Sequence, residues 1–139
     1  MTWSGVSSPS GAARPSEIVT TFIRAIERRD VAAAVAMTSE DVSYENMPIQ
    51  PIVGRTDLTH TLEGFLAPAT NVDWQILAQW EFGRTVINER LDRFEIGPGW
   101  LELPVAGFFE IDADGLIARW RDYFDLGSYQ AQLSALTGS

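Results

Sequence analysis

The stretch Thr85-Val86-Ile87-Asn88-Glu89-Arg90-Leu91-Asp92-Arg93-Phe94 decides how the rest of the chain is read. It reads as a strand, and successive side chains of a strand point to opposite faces, so Val86, Asn88, Arg90, Asp92 and Phe94 share one face. That face carries charge toward an apolar interior. A second acid, Asp122, lies in the aromatic segment Trp120-Arg121-Asp122-Tyr123-Phe124-Asp125. The two acids and the arginine together mark a candidate site.

Working outward, further strands are expected at Val72 to Phe82, Trp100 to Ile111 and Leu116 to Phe124. Gly97-Pro98-Gly99 and Asp112-Ala113-Asp114-Gly115 supply the turns between them. Upstream, Ser16 is expected to cap a helix whose Ile18, Val19, Phe22, Ile23 and Ile26 recur at three- and four-residue spacing. Asp30 is the expected cap of a second short helix through Met37, and Asp41 to Asn46 then turns extended. A third helix starts at Thr56, presents Leu58, Leu62, Phe65 and Leu66, and stops at Pro68. Leu126 to Leu136 supplies a closing helix. Helices first and a meandering sheet afterwards predict an α+β fold, with a curved sheet wrapped over three N-terminal helices.

The 139 residues, 45% hydrophobic, suffice for one core, so one domain is expected over residues 16–139 after a flexible tail over residues 1–15. The net charge of -9, with ten basic residues scattered among nineteen acidic ones, disfavours nucleic acid. It also disfavours an anionic membrane. There is no cysteine, which removes disulfides, thiolate metal sites and a cysteine nucleophile. The start of the chain resembles no signal peptide and no apolar run approaches a bilayer span, so cytoplasmic residence is the expectation.

In the last strand Leu116, Ala118, Trp120, Asp122 and Phe124 are expected on one face, which surrounds Asp122 with apolar groups. Leu101, Leu103, Val105, Gly107, Phe109 and Ile111 form the matching face of the strand before it. A buried carboxylate is costly unless paired, and the fork of Arg90 can bridge two. Two ionised acids against one arginine leave an excess negative charge, which one retained proton removes. A general acid and a general base then coexist, as ring opening of an epoxide by water requires. From spacing alone, a buried Asp-Arg-Asp network that only sets strand register accounts for the same residues.

Tyr44 and Asn46 alternate onto one face before Met47-Pro48, where they could hold a water or simply shape a turn. The single histidine, His60, falls on the polar side of the third helix, and no Gly-x-Ser-x-Gly elbow is present. Covalent hydrolase chemistry is thereby disfavoured. No metal is expected, because the arginine between the two acids repels cations.

Tyr44-Glu45-Asn46-Met47-Pro48, Arg90-Leu91-Asp92 and Trp120-Arg121-Asp122-Tyr123-Phe124-Asp125 together resemble the limonene epoxide hydrolases, over about Glu17 to Leu133. The resemblance implies a cone-shaped, cystatin-like (nuclear transport factor 2-like) α+β fold, a curved mixed sheet enclosing a deep apolar pocket, and a homodimer. It implies that Asp122 activates a water held by Tyr44 and Asn46, that Asp92 protonates the epoxide oxygen, and that Arg90 bridges the acids. Ile26, Phe65, Val72, Phe94, Leu103, Val105 and Phe124 would line the pocket. The implied reaction takes a small hydrophobic epoxide and water to a vicinal diol in one step, without cofactor or metal. An isomerase or cyclase of the same fold, moving a proton with one acid, and a noncatalytic pocket for a lipid-like molecule are the competing readings.

Overall fold

The structure is a computed structural model and describes residues 13–138. Most of the expected tail lies outside the described residues, and Pro15 already opens the first helix, α1 (Pro15–Glu27). Ser16 therefore sits inside that helix rather than capping it. Arg14 takes the cap position, Pro15 supplies a preset helical φ, and the Glu17 carboxylate accepts from the Arg14 backbone N–H at 2.8 Å. The Ser16 N–H is taken by Glu81 at 2.9 Å, a long-range contact that sequence spacing cannot show.

Ile18, Val19, Phe22, Ile23, Ala25 and Ile26 form the buried face of α1, as the three-and-four spacing requires. Asp30 caps α2 (Val31–Ala36) by accepting from the Ala33 N–H at 3.1 Å. Then comes β1 (Thr38–Met47), ten residues long where only Asp41 to Asn46 was expected to be extended. A two-residue strand, β2 (Ile52–Val53), pairs antiparallel with β1. Gly54, at φ 97°, then turns the chain into α3 (Arg55–Leu66), one residue ahead of the expected Thr56 start. The long strands follow: β3 (Asn71–Phe82), β4 (Thr85–Ile96), β5 (Gly99–Ile111) and β6 (Ile117–Tyr123), before α4 (Leu126–Thr137).

The six strands form one sheet in the order β2-β1-β6-β5-β4-β3. From β3 to β6 it is the expected meander. It is mixed because β1, which lies between α2 and α3 rather than after the helices, pairs parallel to β6. Two extra residues reset the faces. Leu77 has no partner between Ile76↔Arg90 and Ala78↔Glu89, so beyond it Gln79 and Glu81 turn inward while Trp80 and Phe82 turn out. In β6, Ile111 pairs with Ile117 and Glu110 with Arg119, leaving Ala118 extra. The buried residue at the start of β6 is therefore Ile117, not Leu116 or Ala118 as simple alternation predicts.

The core lies between the inner sheet face and α1. Phe22 meets Trp120 and Phe109 edge-on at centroid distances of 5.0 and 6.3 Å, and Trp120 stacks between Tyr44 (3.9 Å) and Phe109 (5.6 Å). Burying each such ring stabilises the fold by roughly 1.5–3 kcal/mol. The largest fully buried side chains include Trp120 and, beside it in size, the charged Arg90.

Candidate active site

Strand register assembles the site. Asn46 on β1 lies opposite Asp122 on β6, Asp122 opposite Gly107 on β5, and Gly107 opposite Asn88 on β4. One row further along β4 stand Arg90, opposite Val105, and then Asp92, opposite Leu103 and Trp74. The expected set Tyr44, Asn46, Arg90, Asp92 and Asp122 is thus brought together on one inward face, although it comes from three strands distant in sequence.

Arg90 is fully buried and its fork spans both acids. Its Nε and Nη2 donate to Asp92 Oδ1 and Oδ2 at 3.0 and 2.9 Å, and its Nη1 and Nη2 donate to Asp122 Oδ1 and Oδ2 at 3.3 and 2.8 Å. The Trp120 indole N–H donates to Asp122 Oδ1 at 2.7 Å, and the Tyr44 hydroxyl donates to Asn46 Oδ1 at 2.9 Å. The guanidinium also lies over the Trp74 ring, 5.2 Å from its centroid. Every charge in the cluster is therefore paired and hydrogen-bonded, the condition under which burial is tolerated.

Burial pushes the Asp92 carboxyl up to about 6; Arg90 opposes the rise, and the negative charges of Asp122 and Glu27 reinforce it. Burial, reinforced by Asp122, likewise holds Tyr44 well above its ordinary value, so it remains a neutral phenol. Burial acts to lower the Arg90 value, but the two carboxylates outweigh it and keep the guanidinium charged.

A narrow cavity meets this cluster; counting the open solvent at its mouth, its space is about 290 Å³. Tyr44, Asn46, Asp92 and Asp122 contribute its polar wall, and Phe65, Phe94, Leu103, Val105 and Phe124 its apolar wall. Two residues expected in the wall lie elsewhere. Ile26 is fully buried in the core, and Val72 is half-buried at the outer end of β3, opposite Phe94. Trp74 and Tyr129 take part in the wall instead. Trp74 was legible as an inward residue opposite Asp92, but only once the β3–β4 register is known. Tyr129 comes from α4, whose placement follows from packing against Phe65 and Phe124 at 5.9 and 6.3 Å. His60 is exposed on α3. Among the described residues, no group of three or more His, Asp or Glu side chains gathers in a metal-binding arrangement.

A curved mixed sheet closed by helices over a cavity, with a carboxylate pair at its floor, defines a nuclear transport factor 2-like, SnoaL-like α+β protein. A SnoaL-like polyketide cyclase structure from Shewanella putrefaciens superposes with a TM-score of 0.77 over 88% of this chain and 98% of that one, at 14% identity, a likeness of fold alone. Within that fold the family is specific: residues 13–135 match the limonene-1,2-epoxide hydrolase catalytic domain, and the chain belongs to this family. It is 34% identical over 108 residues to the epoxide hydrolase EphG of Mycobacterium tuberculosis, covering 78% of this chain and 71% of that protein. The structure of an M. tuberculosis LEH-like epoxide hydrolase matches with a TM-score of 0.74 and 28% identity, over 90% of this chain and 96% of that one.

Proposed function

We propose that this protein adds water to a hydrophobic epoxide, terpene-like or cyclic, and gives a vicinal diol in one step. The observation that carries the reading is the Asp92–Arg90–Asp122 bridge at the floor of an apolar cavity, with the Asp92 carboxyl pushed up to about 6. Two buried carboxyls against one guanidinium favour a retained proton, and in this reading Asp92 keeps it up to about pH 6. In this reading Asp122 takes a proton from water as the water oxygen bonds to an epoxide carbon, while Asp92 gives a proton to the epoxide oxygen as that carbon's C–O bond breaks, which balances the reaction with water as the nucleophile.

Asn46 stands directly beside Asp122 across β1–β6 and is tied to the Tyr44 hydroxyl, which supports the reading that the Asn46 amide and the Tyr44 oxygen hold the attacking water. Arg90 keeps the two acids at a fixed separation. Phe65, Phe94, Leu103, Val105 and Phe124 would contact the hydrocarbon part of the substrate. A proton shuttle on a ketone needs only one carboxyl and no held water, so the paired arrangement favours hydrolysis over isomerisation.

The test is diol formation from a panel of cyclic and terpene epoxides, with a single turnover run in ¹⁸O-labelled water. Label in the diol of the first turnover supports direct attack by water. Unlabelled first-turnover diol, its oxygen drawn from the enzyme, overturns the one-step reading.

The reading includes a homodimer. It is supported by the outer sheet face, where Leu77, Trp80 and Phe82 on β3 are exposed and Leu91, Pro104 and Ala106 border the same hollow as Leu77.

A further inference from the structure

A guanidinium has five N–H donors, and in Arg90 all five meet an acceptor. Four bonds go to the two carboxylates; the fifth runs from Nη1 to Asn88 Oδ1 at 2.9 Å. Nη1 is otherwise held only by its long bond to Asp122 Oδ1, at 3.3 Å. Asn88 is therefore the firmer of the two anchors of Nη1, while Nη2 keeps its own bond to Asp122 Oδ2 at 2.8 Å. Asn88 is 1% exposed, so no water can substitute for it from bulk solvent.

The charge of Arg90 dictates the orientation of the amides behind it. A guanidinium only donates, so Asn88 must present its oxygen, and its Nδ2 then donates to Gln79 Oε1 at 3.0 Å. Gln79 in turn donates through Nε2 to Thr20 Oγ1 at 3.0 Å and to the Ser16 carbonyl at 3.2 Å, both on α1. This relay exists because the extra residue Leu77 turns Gln79 inward, opposite Asn88.

Gly107 completes the holder from β5. A Cβ there would collide with Arg90 Nη1, and it would stand 2.8 Å from Asn88 Oδ1 and 3.0 Å from Asp122 Oδ1. Its φ is not in the left-handed region, so a glycine is needed here for room and not for backbone freedom. In the row Asn46, Asp122, Gly107, Asn88, Gln79, it is the gap across which the guanidinium reaches Asp122.

We propose that Asn88, backed by Gln79 and Thr20, is a positioning residue that holds the Arg90 fork against Asp122, and that Gly107 keeps the space the fork occupies. The proposal depends on the epoxide hydrolase reading for its kinetic readout only. A second readout, carboxyl titration by ¹³C NMR, needs no turnover. The titratable and charged groups facing Asp92 are Arg90 on its own strand, Asp122 on β6, Tyr44 on β1 and Glu27 on α1; Gly107 on β5 and Gln79 on β3 bring none.

The variants are Asn88→Leu, which removes the acceptor, Asn88→Asp, which keeps it, and Gln79→Leu, which removes its backing. In Asn88→Leu the fork withdraws from Asp122, so kcat is expected to fall about 10- to 100-fold with KM within about twofold. The Asp92 titration midpoint should rise above its wild-type value as the loosened guanidinium, which opposes the effect of burial there, loses its hold on the acid pair. Asn88→Asp should return kcat to within about threefold of wild type below pH 6, where its protonated carboxyl accepts the same Nη1 bond and donates its O–H to Gln79 Oε1. A folded Asn88→Leu with wild-type kcat and an unmoved midpoint overturns the proposal, as does an Asn88→Asp no better than Asn88→Leu. Should Asn88→Leu not fold, Gln79→Leu decides: a loss of about threefold or more in kcat with a raised midpoint supports the relay, and no change in either overturns it. Should wild type turn over no epoxide, the hydrolase reading falls and the NMR midpoints alone decide the positioning role.

Discussion

Asp92 and Asp122 contact the same guanidinium, yet they have different surroundings. Asp122 accepts from the Trp120 indole as well as from Arg90, whereas among the described residues the Asp92 carboxyl accepts from Arg90 alone. With Arg90 as the donor to its carboxyl, Asp92 is the acid that burial pushes up to about 6. Asp122→Asn and Asp92→Asn are each expected to lower kcat/KM by roughly 10²–10⁴-fold, read from diol formation with circular dichroism confirming the fold.

The pH dependence follows from the same asymmetry. A group acting as an acid must be protonated, and burial raises the folded-state Asp92 value to about 6. The active form is therefore present below that value and is lost as pH rises through it. The dependence of kcat/KM on pH should show a limb falling about tenfold per unit above pH 6, and a flat profile to pH 8 would remove Asp92 from the acid role.

At the scale of elements, the strands and the last helix hold the site with unequal firmness. β4 and β5 are paired along their whole length, with Arg90, Asp92 and Gly107 between neighbours. α4 has no fully buried residue, and its Gln132 side chain docks on Glu102 of β5 through two bonds of 2.9 Å. Its amides are expected to exchange with deuterium well before those of β4 and β5, as native-state exchange would show. Because Tyr129 forms part of the cavity wall, opening of α4 is also the expected route by which a bulky epoxide enters.

Element boundaries and spacing were largely legible in the sequence, because helical and strand periodicities are local properties. The exceptions have particular causes. Ser16 is a good capping residue by type, but Pro15 and the contact with Glu81 start the helix earlier. β2 is too short to show a period. Leu77 and Ala118 interrupt the alternation without a glycine to announce it, so the inward positions of Gln79 and Ile117 become visible only when the strands are paired.

At the scale of the whole molecule, the helices cover the inner face of the sheet, and the outer face, otherwise laced with ion pairs such as Arg93–Glu102 and Arg119–Glu110, leaves an apolar patch on β3. Trp80, Phe82 and Leu77 are 49%, 62% and 59% exposed there, an arrangement that burial against a second copy would relieve. Light scattering is expected to give the mass of two chains, and the double variant Leu77→Glu/Trp80→Glu is expected to give one. A monomeric wild type at micromolar concentration would remove the dimer from the reading. Among the described residues no helix is long and apolar enough to cross a membrane.

The chain by itself determined the α+β class and the inward face of β4, because strand alternation is a property of neighbours in sequence; Tyr44, Asn46, Arg90, Asp92 and Asp122 were nominated as a site by the resemblance their motifs carry. Only the tertiary structure decided that β1 runs parallel to β6 and so sets Asn46 beside Asp122, that Ile26 and Val72 yield their places in the wall to Trp74 and Tyr129, and that Asn88 and Gly107 hold Arg90. The physical reason is that pairing, register and burial are relations between segments distant in sequence. The raised carboxyl of Asp92 depends on all three at once.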